Sequence, residues 1–199
     1  MFLLFESICV IDGEIQSPLW YEQRYKSAFH KSYNEFPKNS LLEGVLIPEK
    51  LKKGKVKLRI SYNQFEKKIE GSKYTSKEIK TLQIIESNSI NYSLKYKDRK
   101  NLDQLFLKRN SCDDIIILKN GLVTDSSYGN LVFFKNEIGY TPEVPLSKGT
   151  RRAKLLHEKK IISKKVSVTE IKEYEFCQVI NALLDLNESD KIPVDKICF

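Results

Sequence analysis

Two dipeptides, Asp12-Gly13 and Asn120-Gly121, constrain this chain more than any other feature. Each lies between two short runs rich in β-branched and apolar residues. Each is a pair that readily takes the left-handed conformations of a tight hairpin turn. The first predicts a strand over 2–11 returning through 14–16. The second predicts a strand over 113–118 returning through 122–124. Antiparallel sheet is therefore expected in both halves of the chain.

Between these hairpins, Ser17-Pro18 marks a helix start, with Ser17 as N-cap and Pro18 at the first helical position. The helix should run over 18–36, with Leu19, Tyr25, Phe29 and Tyr33 on its apolar face. Residues 55–62 alternate strictly. Val56, Leu58, Ile60 and Tyr62 fall on one side and Lys57, Arg59 and Ser61 on the other, the pattern of a half-buried strand. Further strands are expected over 65–70 and 81–86, and Ser87-Asn88-Ser89 has the composition of a linker. Beyond it come a helix over 98–108 and short strands over 131–134 and 138–140 around Asn136-Glu137. A helix over 149–158, a strand over 161–166, a short helix capped by Thr169, and closing strands over 176–184 and 192–199 complete the chain. The expected fold is α+β in two lobes, residues 1–86 and 91–199, joined by a linker at 87–90.

Composition excludes several classes. With 199 residues, 41% hydrophobic, the chain can bury a real core. The net charge of +8 comes from scattered residues, mostly lysines, which read as a solvated surface suited to an anionic substrate or cofactor. No aromatic-basic motif of the RNA-binding type is present. The four cysteines, Cys9, Cys112, Cys177 and Cys198, form no CxxC pair and three lie in apolar runs, so neither a zinc ribbon nor a thioredoxin-like site is expected and nothing points to an oxidising compartment. His30 and His157 have no partner at metal-ligand spacing, and no metal site is expected. The apolar residues 1–5 meet Glu6 at once and read as a strand, not a leader. No apolar run is long enough to span a bilayer. The expectation is a cytoplasmic chain.

Chemistry concentrates at four places. Lys95 stands before a helix among Tyr92, Leu94 and Tyr96, an apolar setting in which a neutral amine can form a Schiff base. Asp125 follows a strand and opens the polar loop Ser126-Ser127-Tyr128-Gly129; it reads either as an Asx turn or as a carboxylate facing a protonated pyridine nitrogen. Gly149-Thr150-Arg151-Arg152 is a loop-to-helix junction whose free N–H groups suit a phosphate, with the Thr150 hydroxyl as an added donor. Arg24 is a candidate second phosphate ligand. An amine, a carboxylate and a helix start flanked by arginines suit an anionic, electron-withdrawing cofactor, and pyridoxal phosphate is the candidate.

With those residues in place, the sequence resembles the class IV aminotransferases, the fold-type IV pyridoxal-phosphate family that includes D-amino acid aminotransferases, branched-chain aminotransferases and aminodeoxychorismate lyases. Phe5 through Gly13 looks like the family's first hairpin. Leu19-Trp20-Tyr21-Glu22-Gln23-Arg24 resembles its His-x-x-Arg helix. Lys95-Tyr96-Lys97-Asp98-Arg99 resembles its Lys-x-x-Asn-Arg. Gly121 through Asn130 is similar to its Gly-x-x-x-Glu-x-x-x-x-Asn. Thr141-Pro142, Gly149-Thr150-Arg151-Arg152 and Ile180-Asn181-Ala182 look like its later segments. The order matches over most of the chain. Tyr21 stands where histidine is usual, Asp125 where glutamate is usual, and Thr150-Arg151 where Ile-Thr is usual.

The resemblance implies a two-lobed, D-amino acid aminotransferase-like fold and a homodimer. It implies Lys95 as the Schiff-base lysine, and Arg24, Asp125, Asn130, Thr150 and Arg151 as cofactor-binding residues. The substrate would be a small molecule carrying an amine, handled by an aminodeoxychorismate lyase that yields 4-aminobenzoate and pyruvate for folate synthesis, or by an aminotransferase. Two other readings stand behind these: a pyridoxal-phosphate-fold binding protein without catalysis and, further back, a basic nucleic-acid-binding module.

Overall fold

The structure is a computed structural model that describes residues 2–199; Met1, read above with the opening strand, lies outside the described residues. The chain forms two compact units. One comprises the chain up to Ser76 together with Leu94–Asp98, and the other Lys77–Ser93 with Arg99–Phe199.

The first unit carries β1 (Leu4–Ile11), β2 (Glu14–Ile15), helix α1 (Pro18–Tyr33), β3 (Lys55–Tyr62) and β4 (Lys67–Lys73). Its strands form an antiparallel sheet in the order β2-β1-β3-β4. Asp12 and Gly13 take the left-handed conformations the hairpin demands, at φ 48° and 85°. The Asp12 carboxylate also accepts the Gly54 N–H at 2.8 Å, tying this turn to the start of β3. Val56, Leu58, Ile60 and Tyr62 are buried as the alternation requires. The Tyr25 ring of α1 meets Tyr62 edge-on at 4.8 Å.

Three details of α1 differ from expectation. The helix ends at Tyr33, where Asn34 adopts a left-handed cap at φ 57°. Its buried face runs through Tyr21, Tyr25, Ala28 and Phe29, while Leu19 is exposed, because the apolar stripe is phased from Tyr21. Ser17 occupies the N-cap position but makes no side-chain cap.

The second unit carries β5 (Leu82–Glu86), α2 (Lys100–Leu107), β6 (Asp114–Lys119), β7 (Leu122–Ser126), β8 (Asn130–Lys135) and β9 (Ile138–Pro142). These are followed by α3 (Thr150–His157), β10 (Ile162–Lys164), β11 (Phe176–Ile180), β12 (Ile192–Pro193) and β13 (Ile197–Cys198). Its strands make one sheet in the order β10-β9-β8-β7-β6-β5-β13, with β11 on β8 and β12 on β11. The middle of β8, Leu131–Phe133, is continuously apolar and buried because it is covered on both sides. Leu131 and Phe133 join Ile116, Leu118, Val179 and Tyr174 in one core, and Val132 joins Leu155 of α3, Ile161 and Ile180 in another.

The units therefore do not divide at 87–90. β5, read above as part of the first lobe, hydrogen-bonds in parallel to β6 and β13. The Ser87 N–H donates to the Leu118 carbonyl and the Asn88 side chain accepts from Asn120, so the supposed linker is part of the second unit. Conversely, Leu94–Asp98, expected in the second lobe, belongs to the first unit. It lies along the start of β1, with Phe5 N–H donating to the Lys95 carbonyl at 3.0 Å and Lys97 N–H to the Leu3 carbonyl at 2.9 Å.

Candidate active site

In the second unit the polar residues converge on Asp125. This residue is the last but one of β7, among buried neighbours, so its carboxylate is carried inside with only 5% of the residue exposed. Asn130 opens β8 directly opposite Asp125. Its amide donates to the Asp125 Oδ1 at 2.7 Å and to the Ser147 carbonyl at 2.8 Å. The Ser147 N–H in turn donates to the Asp125 Oδ2 at 2.8 Å. Each oxygen thus receives one N–H and keeps a lone pair for another donor. Burial pushes the Asp125 carboxyl up to about 7, against the opposing pull of the Ser147 N–H, the Asn130 amide and the Arg152 charge.

The same contacts fix the start of α3. A Cβ added to Gly149 would lie 2.0 Å from the Asn130 Oδ1, so only glycine permits this approach. α3 begins at once after Gly149, with no side-chain cap and no acid in its first turn. Its first N–H groups have no acceptor within the helix, and the dipole gives this end a partial positive charge. The Thr150 hydroxyl is buried there without a hydrogen-bond partner. A buried carboxylate and an uncapped, donor-rich helix start are therefore linked through one asparagine.

The two arginines after Thr150 divide differently from expectation. The Arg151 side chain is committed to Asp185 at 2.6 Å, so it is Thr150 whose side chain remains to serve an anion. Arg152, not singled out from the sequence as a site residue, is buried. It donates from Nε to the Thr141 hydroxyl at 3.1 Å and from Nη2 to the Pro142 carbonyl at 2.8 Å. Its charge acts on Asp125. Two adjacent arginines on a helix point in different directions, and only the packing tells which one turns inward.

The loop between Asp125 and Asn130 is held from below. Ser126 Oγ accepts the Gly129 N–H at 3.0 Å, and the Ser127 hydroxyl donates to the buried Asp114. Burial raises the Asp114 carboxyl, with Ser127 opposing. Arg99 donates to the Ser127 carbonyl at 2.9 Å and lies over the Tyr128 ring.

The first unit holds Lys95 and Arg24. Lys95 is half-buried, and its Nζ lies 5.1 Å from the Phe5 ring centroid. Arg24 Nε donates to both oxygens of the fully buried Glu6 at 3.0 Å, and Nη2 donates to Oε2. Burial opposes the guanidinium charge, but attraction and hydrogen bonding to Glu6 outweigh it and hold its pKa above the usual value. Phe5 and Glu6 are consecutive in β1, so Lys95 and Arg24 engage side chains that leave the strand on opposite faces. Tyr21, where the family's histidine was expected, accepts the Cys9 N–H at 3.1 Å through its hydroxyl and so ties α1 to β1.

A sheet-rich chain of two units, with Lys95 in a segment bonded along the start of β1 and a buried acid beside an uncapped helix start, fits the fold-type IV class. Comparison with known proteins agrees. The family model for amino-transferase class IV matches residues 69–191. An uncharacterized protein of Haemophilus influenzae is 36% identical over 185 residues, covering 92% of this chain and 98% of that one. A crystal structure from Haemophilus somnus 129PT, provisionally assigned as a 4-amino-4-deoxychorismate lyase, superposes with TM-score 0.83 at 34% identity, covering 94% of this chain and 98% of that one. The pyridoxal-phosphate-bound form of a hypothetical aminotransferase from Mycobacterium tuberculosis, 12% identical, shares the fold at TM-score 0.71, covering 96% of this chain and 80% of its own. The chain belongs to the class IV aminotransferases, a family of pyridoxal-phosphate-dependent lyases and aminotransferases. Among the described residues, no helix is long and apolar enough to cross a membrane.

Proposed function

We propose that this chain binds pyridoxal phosphate and acts as a lyase of the aminodeoxychorismate type, releasing 4-aminobenzoate and pyruvate. One observation carries the cofactor reading: the contacts from Asp125 through Asn130 and Ser147 to Gly149, which couple a buried carboxylate to an uncapped helix start. A pyridine nitrogen suits the first and a phosphate the second. The residues fit the group, since Asp125 keeps lone pairs and the Thr150 hydroxyl has no other partner.

When bound, pyridoxal phosphate supplies an electron-poor ring that withdraws electrons from bonds next to the substrate nitrogen. Asp125 holds a proton at the ring nitrogen and so preserves that electron demand. Asn130 and Ser147 fix the carboxylate's direction. The α3 N–H groups and Thr150 anchor the phosphate. Arg24 has a smaller part: with Nε and Nη2 held by Glu6, Nη1 is left to donate. Lys95 would supply the amine that holds the cofactor and would be the base that moves a proton at the substrate carbon beside the nitrogen. The likeness to the Haemophilus somnus protein supports the lyase reaction over transamination. On the family's pattern the chain works as a cytoplasmic homodimer in folate synthesis, and sedimentation of the purified protein tests the dimer.

The deciding experiment is the visible spectrum with added pyridoxal phosphate, before and after borohydride, with peptide mapping of the reduced adduct. Label on Lys95 supports the reading, and its absence from every lysine overturns it. Aminodeoxychorismate is then supplied. Pyruvate with 4-aminobenzoate identifies a lyase, whereas a keto acid formed only with an added amino acceptor identifies an aminotransferase.

A further inference from the structure

Two consecutive aspartates meet at the start of β6 and part ways. Asp113 turns to the segment before β5, where its carboxylate accepts the Lys80 N–H at 2.9 Å and the Thr81 N–H at 3.1 Å. Asp114 turns inward and is only 1% exposed. Its Oδ1 accepts the Ser127 hydroxyl and, at 2.8 Å, the Ile115 N–H. Its Oδ2 is buried with no hydrogen-bond partner. An acid buried with one oxygen unused is destabilising in itself. The mechanism above gives Asp114 no part.

What Asp114 grips is the turn 126–129. The two ends of that turn are Asp125 and Asn130, which face each other across β7 and β8. Ser126 closes the turn: its N–H donates to the Gly129 carbonyl at 2.9 Å, and its Oγ accepts the Gly129 N–H at 3.0 Å. A Cβ on Gly129 would run into the Ile180 carbonyl, so the turn lies directly on β11. Ser127 is buried and held from two sides. Asp114 takes its hydroxyl, and Arg99 donates to its carbonyl at 2.9 Å with the guanidinium near the Tyr92 and Tyr128 rings. β6 is paired on both sides, with β5 and β7, so the anchor is fixed. Burial favours the neutral form of Asp114, against the Ser127 hydroxyl and the Ile115 N–H. The hold on Ser127 is therefore a hydrogen bond more than an effect of charge.

We propose that Asp114 is a positioning residue for Asp125: by anchoring Ser127 to β6 it fixes the turn that joins Asp125 to Asn130, and so keeps the Asp125 carboxylate aimed where a cofactor ring nitrogen would meet it. It acts through Ser127, not by contact with the cofactor. The consequence for binding rests on the cofactor reading. The effect on Asp125 belongs to the cofactor-free chain as well.

Two measurements on the full chain test this. The first uses no cofactor. With aspartate isotopically labelled at the side-chain carboxyl, NMR follows the Asp125 titration, assigned by its loss in Asp125→Asn and expected at about 7 in the wild type. Asp114→Ala should release Ser127, admit water to the turn and move the midpoint towards the ordinary carboxylate range. Asp114→Asn keeps an acceptor for Ser127 and should restore it. The second is pyridoxal phosphate affinity by absorbance titration. Asp114→Ala and Ser127→Ala should each weaken binding about tenfold, with Asp114→Asn recovering most of the loss. In an Asp125→Asn background, Asp114→Ala should weaken binding less than about threefold, because two changes acting through one carboxylate are not additive. A purely structural role predicts the same loss in both backgrounds. Thermal melts report folding; should Asp114→Ala not fold, Ser127→Ala carries both comparisons. An Asp125 midpoint unmoved in the folded variants, an equal loss in both backgrounds, or Asp114→Asn no better than Asp114→Ala would overturn the proposal. Borohydride labelling separates the two readings. A Lys95 adduct with an Asp125 midpoint indifferent to Asp114 removes only the positioning role. A midpoint that follows Asp114 in a chain forming no lysine adduct removes only the cofactor reading.

Discussion

Glu6 and Arg24 form a two-pronged ion pair in the first unit, with the carboxylate fully buried and the guanidinium side chain only 16% exposed. A pair this dry contributes little compared with an apolar pair of the same shape, but breaking it strands a buried charge. Glu6→Ala should therefore cost about 3–5 kcal/mol. Urea denaturation should show a lower midpoint with the slope retained. An unchanged midpoint would mean that solvent reaches Arg24 freely.

Asp125 makes stability depend on pH. Its carboxyl is raised to about 7 in the folded chain, mainly by burial, and returns to the ordinary carboxylate range on unfolding. Between those values the folded state binds more protons, so the cofactor-free chain loses stability as pH rises from about 4 towards about 7. Asp114 contributes in the same direction. Asp125→Asn should flatten this dependence, whatever its effect on the absolute level, since asparagine cannot titrate. Adding pyridoxal phosphate to the wild type should flatten it too, because a ring-nitrogen cation favours the ionised carboxylate. Melting temperatures of both proteins across this range are the measurement, and parallel curves would refute the assignment.

Gly149 is required for its lack of a side chain. Its φ of −65° suits any residue, so the constraint is steric: an added Cβ would meet the Asn130 Oδ1 at 2.0 Å. Gly149→Ala should cost about 1–3 kcal/mol through overpacking and displace the Asn130 amide from Asp125. The expected signature is weakened pyridoxal phosphate binding together with a lower melting temperature. Full retention of both would show that the loop before α3 yields without strain.

Cys112 and Cys198, far apart in sequence, bring their Sγ atoms to 3.5 Å in the second unit. A disulfide needs the sulfurs at about 2 Å, a short movement for an exposed residue such as Cys198. Diamide, a thiol oxidant, should remove two free thiols per chain and link the two cysteine peptides in a non-reducing digest. Cys198→Ser should abolish that link. Linkage to Cys9 or Cys177 instead would contradict the geometry.

What the sequence determined by itself is local. Asp12-Gly13 and Asn120-Gly121 set two hairpins because their turn conformations depend on those residues alone, and the alternation over 55–62 showed which side of β3 is buried. The order of family motifs was enough to identify the class, since motif order survives changes in loop length. The tertiary structure decided everything that depends on distant pairing. β5 joined β6, and Leu94–Asp98 joined β1, because backbone hydrogen bonds form with whichever strand lies alongside, and composition at 87–89 carries no record of that partner. Arg151 turned to Asp185 while Arg152 was buried near Asp125, although the two are neighbours with the same chemistry. The elevated carboxyl of Asp125 and the unpartnered oxygen of Asp114 arise from burial, which is a property of the packed chain and not of any residue in it.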